Sequence, residues 1–173
     1  MSLREDIKRD QPELWAKVKA QADELRAKAL PTSAIDYDLK DPCGDCPFTK
    51  AAPFHEGVAG SLPLYLVSIE EQTFAHTCHK TDTREGVDGP MNWDGRPKHC
   101  RGLLIMLAKT GGDAWLQSGL MAGIRDGRLS LKELVAAAKA DTRCYTLGEF
   151  RNFYLREIKK RAGIRLRRKR GRK

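Results

Sequence analysis

Between Asp10 and Ala29 apolar residues return every three to four positions, at Leu14, Val18, Ala22 and Leu25, and that rhythm predicts an amphipathic helix. Asp10 stands where an N-cap is wanted, Glu13 takes the capping-box position and Pro31 ends the pattern. The other face carries Glu13, Lys17, Lys19, Asp23, Glu24, Arg26 and Lys28, which suits a helix lying across a domain surface. Pro31 to Lys40 reads as an extended linker, and Thr49 to Ser61, with Pro53 and two glycines, as loop. Leu62 to Ile69 is apolar enough for a buried strand or a short helix, and period alone does not choose between them. Thr73 to His79 reads as a strand. Lys80 to Pro97 is polar and rich in glycine and proline, as in a long loop.

The second half is helical in pattern. Leu103 to Lys109 predicts a short helix broken by Gly111-Gly112, and Asp113 can cap a further helix to about Ala122. Ser130 with Glu133, and Thr146 with Glu149, are capping boxes for helices through Lys139 and to Lys160 or beyond. In the last helix Phe150, Phe153, Tyr154, Leu155 and Ile158 have the spacing of a buried face, so these aromatics read as core. The expected fold class is α+β, mostly helical. Residues 1–40 form an N-terminal helix and linker, 41–160 a small domain centred on a metal, and 161–173 a basic tail.

Cysteine placement gives that expectation its centre. Cys43-Gly44-Asp45-Cys46 has the C-x2-C spacing at which one tight turn aims two thiolates at one ion, and Cys78-His79 and His99-Cys100 can close the site from elsewhere. Cys43, Cys46, Cys78 and Cys100 make the simplest complete set, with His79 or His99 as a substitute for one; His76 and His55 are weaker candidates. Zinc is the expected ion. A [4Fe–4S] cluster is the alternative, because four cysteines and a proline after a ligand, as in Cys46-Pro47, also occur at such clusters. A site of four thiolates has no open position for water, so its role is structural and no catalytic residue is assigned. Cys144 stands apart in a helical-looking region and reads as a small buried residue.

Three catalytic patterns are incomplete. The P-C-x-x-C of zinc nucleobase deaminases is present at Pro42 to Cys46 without the H-x-E that supplies the general acid/base. A thioredoxin-type C-x-x-C does not fit a pair bracketed by Pro42 and Pro47. A metal-dependent nuclease could draw on Asp82, Glu85, Asp88, Asp94 and His99, but their spacing matches that of a solvated loop.

Charge supplies the second functional signal. The chain carries +9 overall, and thirteen Lys or Arg against Glu149 and Glu157 place +11 on residues 143–173, leaving −2 on residues 1–142. Lys159, Lys160, Arg161, Arg165, Arg167, Arg168, Lys169, Arg170, Arg172 and Lys173 form a run suited to a phosphate backbone, DNA or RNA, bound with strong salt dependence and little sequence preference. The remaining expectations are a host protein complex as another partner, no membrane partner, and a cytoplasmic location, since neither a membrane-length apolar run nor a signal-peptide pattern is present.

At the cysteines the chain resembles a family of small uncharacterised proteins of actinobacteria and their phages, built on C-x2-C-P-(F/W), F-x-C-H and C-x-G. Here these are Cys43 to Phe48, Phe74 to His79 and Cys100-Arg101-Gly102, about a third of the chain. Two extra residues separate Phe74 from Cys78, and Thr49 stands where the family often has arginine. The resemblance implies that the cysteines act as one unit and that the protein is of phage or bacterial origin.

Overall fold

The structure, a computed structural model, describes residues 8–28, 34–52, 54–60, 62–63, 66, 77–78, 80–81, 97–112 and 118–161. It is mostly helical. The described helices are α1 (Pro12–Lys28), α2 (Glu56–Gly60), α3 (Arg101–Thr110), α4 (Ser118–Arg125), α5 (Leu131–Ala140) and α6 (Leu147–Arg161). Extended backbone is limited, among the described residues, to three isolated bridges that pair Asp36 with Lys98, Thr49 with Cys144, and Thr77 with His99. None of the helices is long and apolar enough to cross a membrane.

Helix α3 is the centre of the core. Its residues Gly102 to Leu107 are buried without interruption, the pattern of a helix covered on every side. It packs against α5 and α6, and α2 packs against α6. Gly111 ends α3 in the left-handed region (φ 70°), donating its N–H to Leu107 O at 3.0 Å. Lys109, in the last turn, reaches out to the carbonyls of Asp141 and Cys144, both at 2.8 Å, and so fixes the connection between α5 and α6.

Of the two downstream capping boxes, that at Thr146 forms completely and that at Ser130 forms its N-cap half. Ser130 Oγ accepts from Glu133 N–H at the start of α5. At α6 the arrangement is reciprocal: Thr146 Oγ1 accepts from Glu149 N–H at 3.2 Å, and Glu149 Oε2 accepts from Thr146 N–H at 2.7 Å. Phe150 and Tyr154 are fully buried, so the aromatic face of α6 is core, as its spacing implies. Phe48 joins that face with its ring 5.3 Å from Phe150, which ties the segment after Cys46 to α6.

Several expectations change. Helix α1 begins with Pro12 at its first position, the place where a residue lacking an N–H costs nothing, and Asp10 lies in a separate helical turn at residues 8–10, paired with Arg9 at 2.7 Å. Among its residues whose burial is described, Val18 and Ala22 are buried. The part of the linker that is described, residues 34–40, has a 3-10 residue at Ala34 and one bridging residue, Asp36, which pairs with the 97–99 segment; it carries the buried side chains of Ile35 and Tyr37. The loop expected over Thr49 to Ser61 contains α2, which buries Val58 despite flanking glycines. Leu62 and Leu66 are helical and buried, while Leu64, Tyr65 and Val67 to Ile69 of that stretch lie outside the described residues. Cys144 is buried as expected, but in the connection between α5 and α6 and not in a helix. Most of the strand expected at Thr73 to His79, most of the loop at Lys80 to Pro97, Asp113 and the segment 162–173 lie outside the described residues.

Candidate metal centre

Four sulfurs meet beside the first turn of α3, delivered by three separate pieces of backbone. Cys43 and Cys46 sit on one turn, closed by Cys46 N–H to Cys43 O at 3.1 Å. Cys78 opens a second turn, and Cys100 is the N-cap residue of α3. Cys46 Sγ lies 3.9 Å from Cys100 Sγ. Cys43 interacts directly with the thiols of Cys46 and Cys78, completing a chain of neighbours through all four. Cys46, Cys78 and Cys100 are buried in the main hydrophobic cluster, and Cys43 packs on it half-buried.

Two of these turns are built alike. Cys46-Pro47-Phe48-Thr49 and Cys78-His79-Lys80-Thr81 both place a threonine three residues after the cysteine. Its N–H and Oγ1 both donate to the cysteine carbonyl: 3.0 and 2.9 Å for Thr49, 2.8 and 3.2 Å for Thr81. Thr81 Oγ1 also accepts from Lys98 N–H at 2.9 Å, and Cys78 N–H donates to Lys98 O at 2.7 Å. On the other side of the same segment, His99 N–H donates to Asp36 O at 2.7 Å and Asp36 N–H to Pro97 O at 3.0 Å. The residues leading to Cys100 are therefore clamped from both sides. The first turn is anchored in the same way, by Tyr145 N–H to Phe48 O and Lys50 N–H to Arg143 O. A salt bridge from Lys80 to Asp45 at 2.9 Å links the two turns.

Backbone donors surround the sulfurs. The nearby N–H groups of Phe48 at Cys46, of Lys80 at Cys78, and of Gly102 and Leu103 at Cys100 favour the thiolate, although the Cys100 side chain accepts no cap hydrogen bond at the start of α3. Thiol–thiol crowding acts against ionisation. Hydrogen bonding to Cys100 and Cys43, with burial, pushes Cys46 up, and Cys43 together with burial pushes Cys78 up. Cys100 is lowered, first by its contact with the Cys46 thiol and further by the polar N–H end of α3, against the effect of burial. Of these three thiols only Cys100 has surroundings that favour its ionised form, and a bound cation would favour that form at Cys46 and Cys78 as well.

Gly102 makes room for this arrangement. A Cβ at that position would fall on the Cys46 sulfur, and within 3.6 Å of Phe48 and Pro42. The close approach of α3 to the C-x2-C turn thus requires glycine.

His99 is completely buried, with its ring stacked on Tyr37 at a centroid distance of 5.3 Å. Neither ring nitrogen has a hydrogen-bond partner, and burial pushes its pKa down to about 4, so the imidazole is neutral. Its ring is thus an orphaned donor–acceptor packed on Tyr37. The His79 side chain and His76 lie outside the described residues. His55 is half-buried at the start of α2. Cys144 is separate from the four: burial, with Asp141 nearby, pushes its thiol up to about 12.

Two sulfurs on one tetrahedral zinc, each about 2.3 Å from the metal, stand about 3.8 Å apart. The Cys46–Cys100 spacing matches that value, and a donor set of three buried thiols and the half-buried Cys43 suits a thiolate-bound ion. The contacts are pairwise, however: among the described residues no three His, Cys, Asp or Glu side chains form a ready-made ion site. The Thr49 and Thr81 turns and the place of Gly102 went unread from the sequence, although a threonine three residues after a cysteine, twice, was visible.

Of the basic run, Lys159, Lys160 and Arg161 end α6; Lys160 is exposed and lies 3.8 Å from Glu157. Arg165, Arg167, Arg168, Lys169, Arg170, Arg172 and Lys173 lie outside the described residues. No protein-family model, curated protein or solved structure matches this chain.

Proposed function

We propose that the protein is a zinc-stabilised nucleic-acid-binding protein, with zinc held by Cys43, Cys46, Cys78 and Cys100 and phosphates contacted by the basic segment from Lys159 to Lys173. The observation that carries the metal half is the meeting of four cysteines from three distant turns, with Cys46 Sγ and Cys100 Sγ 3.9 Å apart. That short spacing favours a single ion over a [4Fe–4S] cluster, whose four irons would hold the thiolates further apart. Bound there, the ion would supply folding free energy and no chemistry, because four thiolates leave it no open position. The nucleic-acid half rests on the concentration of +11 in residues 143–173 of a chain that is otherwise slightly acidic.

Fluorescence anisotropy with a labelled duplex and a labelled single strand across a salt series tests the binding. The full chain binds both, with affinity falling steeply as salt rises. Replacing Arg167, Arg168, Lys169 and Arg170 by serine reduces the slope of log affinity against log salt by roughly three to four for the duplex. An unchanged slope, or no binding at low salt, contradicts the proposal.

A further inference from the structure

A cavity of about 510 Å³ opens beside the first turn of α3, bounded by the Asp36–Lys40 segment and the start of α5. We propose that it is a binding pocket for a phosphate-bearing ligand of nucleotide size, with the phosphate seated against Arg101 and the ligand's own donors met by the carboxylates of the wall. This goes beyond the nucleic-acid reading above and does not depend on it.

Size is the first argument. Pockets for small organic ligands run from about 300 to 1,000 Å³, whereas a lone inorganic anion needs far less. Arg101 is the second. It lines the cavity, and its Nε is buried with no hydrogen-bond partner. An N–H in that state lacks what a phosphate oxygen supplies, and the planar guanidinium matches two such oxygens at once. Lys40, exposed on the rim, adds a second cation. The first turns of α3 and α5, at Arg101 and Ser130, both border the space, so the positive ends of two helix dipoles reinforce the preference for an anion.

The wall also contains Asp36, Asp38 and Glu133. Asp38 is engaged by Lys98 at 2.8 Å. Three carboxylates would repel a bare polyanion, but they suit a molecule that joins a phosphate to hydroxyl or amino donors, as a nucleoside phosphate does. Arg128 is already committed. It donates to Ile35 O at 2.6 Å, pairs with Asp126 at 2.9 Å and lies 5.1 Å over the Tyr37 ring, so it shapes the pocket and leaves the phosphate to Arg101.

Isothermal titration of the full chain tests this, using each of the four ribonucleoside 5′-monophosphates, the matching nucleosides and inorganic phosphate. At least one monophosphate is expected to bind saturably at one site per chain, about tenfold or more tighter than its nucleoside and than phosphate alone; Arg101→Gln should weaken it by about tenfold or more, with Arg101→Lys intermediate. Because Arg101 adjoins Cys100, Lys40→Glu on the exposed rim provides an independent variant, expected to weaken binding without changing thermal stability. The proposal is overturned if no monophosphate saturates, if nucleosides bind equally well, or if a folded Arg101→Gln or Lys40→Glu protein binds unchanged. Competition in the full chain carrying the serine-substituted tail separates the two sources of this chemistry. Displacement of the monophosphate by a 5′-phosphorylated decamer but not its 5′-hydroxyl counterpart assigns the pocket to strand ends, and displacement by neither assigns it to free nucleotides. Equal displacement by both overturns it.

Discussion

Cys46 Sγ and Cys100 Sγ lie 3.9 Å apart across fifty-four residues of chain, one on the C-x2-C turn and the other capping the helix at the centre of the core. Loss of either sulfur should therefore act on the whole fold. Cys46→Ser and Cys100→Ser are each expected to abolish stoichiometric zinc and to lower the thermal midpoint by ten degrees or more, on the order of several kcal/mol. Cys144→Ser, at a buried thiol outside the cluster, should retain the metal. Differential scanning calorimetry with elemental analysis of the three variants checks this ordering, and zinc retained in Cys46→Ser would contradict it.

Gly102 and the Cys46 sulfur compete for the same space. Gly102→Ala should destabilise by about 1–3 kcal/mol as an overpacked contact, a fall of roughly 2–12 °C in thermal midpoint. Gly148, in the first turn of α6, faces open space within 4 Å, so Gly148→Ala should be neutral or stabilising by up to about 1 kcal/mol. Thermal melts of both proteins provide the comparison. A tolerated Gly102→Ala would mean that the α3 start and the cysteine turn are not in close contact.

Thr81 Oγ1 both donates to Cys78 O and accepts from the buried Lys98 N–H. Thr81→Val keeps the shape and removes both bonds, leaving that N–H without its partner at a cost of about 1–3 kcal/mol; Thr81→Ser should recover most of it. Thr49→Val loses only the second donor to Cys46 O, since Thr49 N–H remains, and should cost about 0.5–1.5 kcal/mol. Urea unfolding of the three variants measures the difference.

Asp141 supplies a pH-dependent contribution. Burial of its side chain, 5% exposed, would raise its pKa, but Cys144 N–H at 2.6 Å and Arg143 at 3.2 Å hold the carboxyl below its ordinary value. A carboxyl depressed in the folded state stabilises above the unfolded pKa of about 3.9 and loses that contribution as pH falls through the folded value. Asp141→Asn can still accept from Cys144 N–H but carries no charge. It should be less stable than the natural protein at pH 7, with the gap closing as pH drops below about 4. Denaturant midpoints at pH 7, 4 and 2.5 measure this, and a gap of constant size would rule out the charge as its source.

What the sequence disclosed was local. The capping boxes at Ser130 and Thr146 announce their helices because each is complete within four residues, and the aromatic face of α6 shows in its spacing. The pairing of Cys43 with Cys46 was legible from its C-x2-C spacing, whereas the contacts of Cys78 and Cys100 with that pair are tertiary and only their neighbouring histidines hinted at them. The scaffold that holds them was not. Asp36 with Lys98, Thr49 with Cys144 and Thr77 with His99 are single bridges between distant segments, too short for alternation to register. The linker reading of Pro31 to Lys40 missed the burial of Ile35 and Tyr37 because isolated apolar residues in a polar stretch have no period. Asp10 looked like a cap by residue type, but Pro12 sets the helix start two residues later.

Elemental analysis and thermal melting of anaerobically purified protein, before and after chelation, test the central claim most directly. The account predicts a colourless protein with one zinc per chain, whose removal lowers the thermal midpoint sharply and whose return restores it. A brown protein with about four irons would replace zinc by a cluster on the same cysteines. A metal-free protein that melts at the same temperature with and without added zinc would contradict the metal centre altogether.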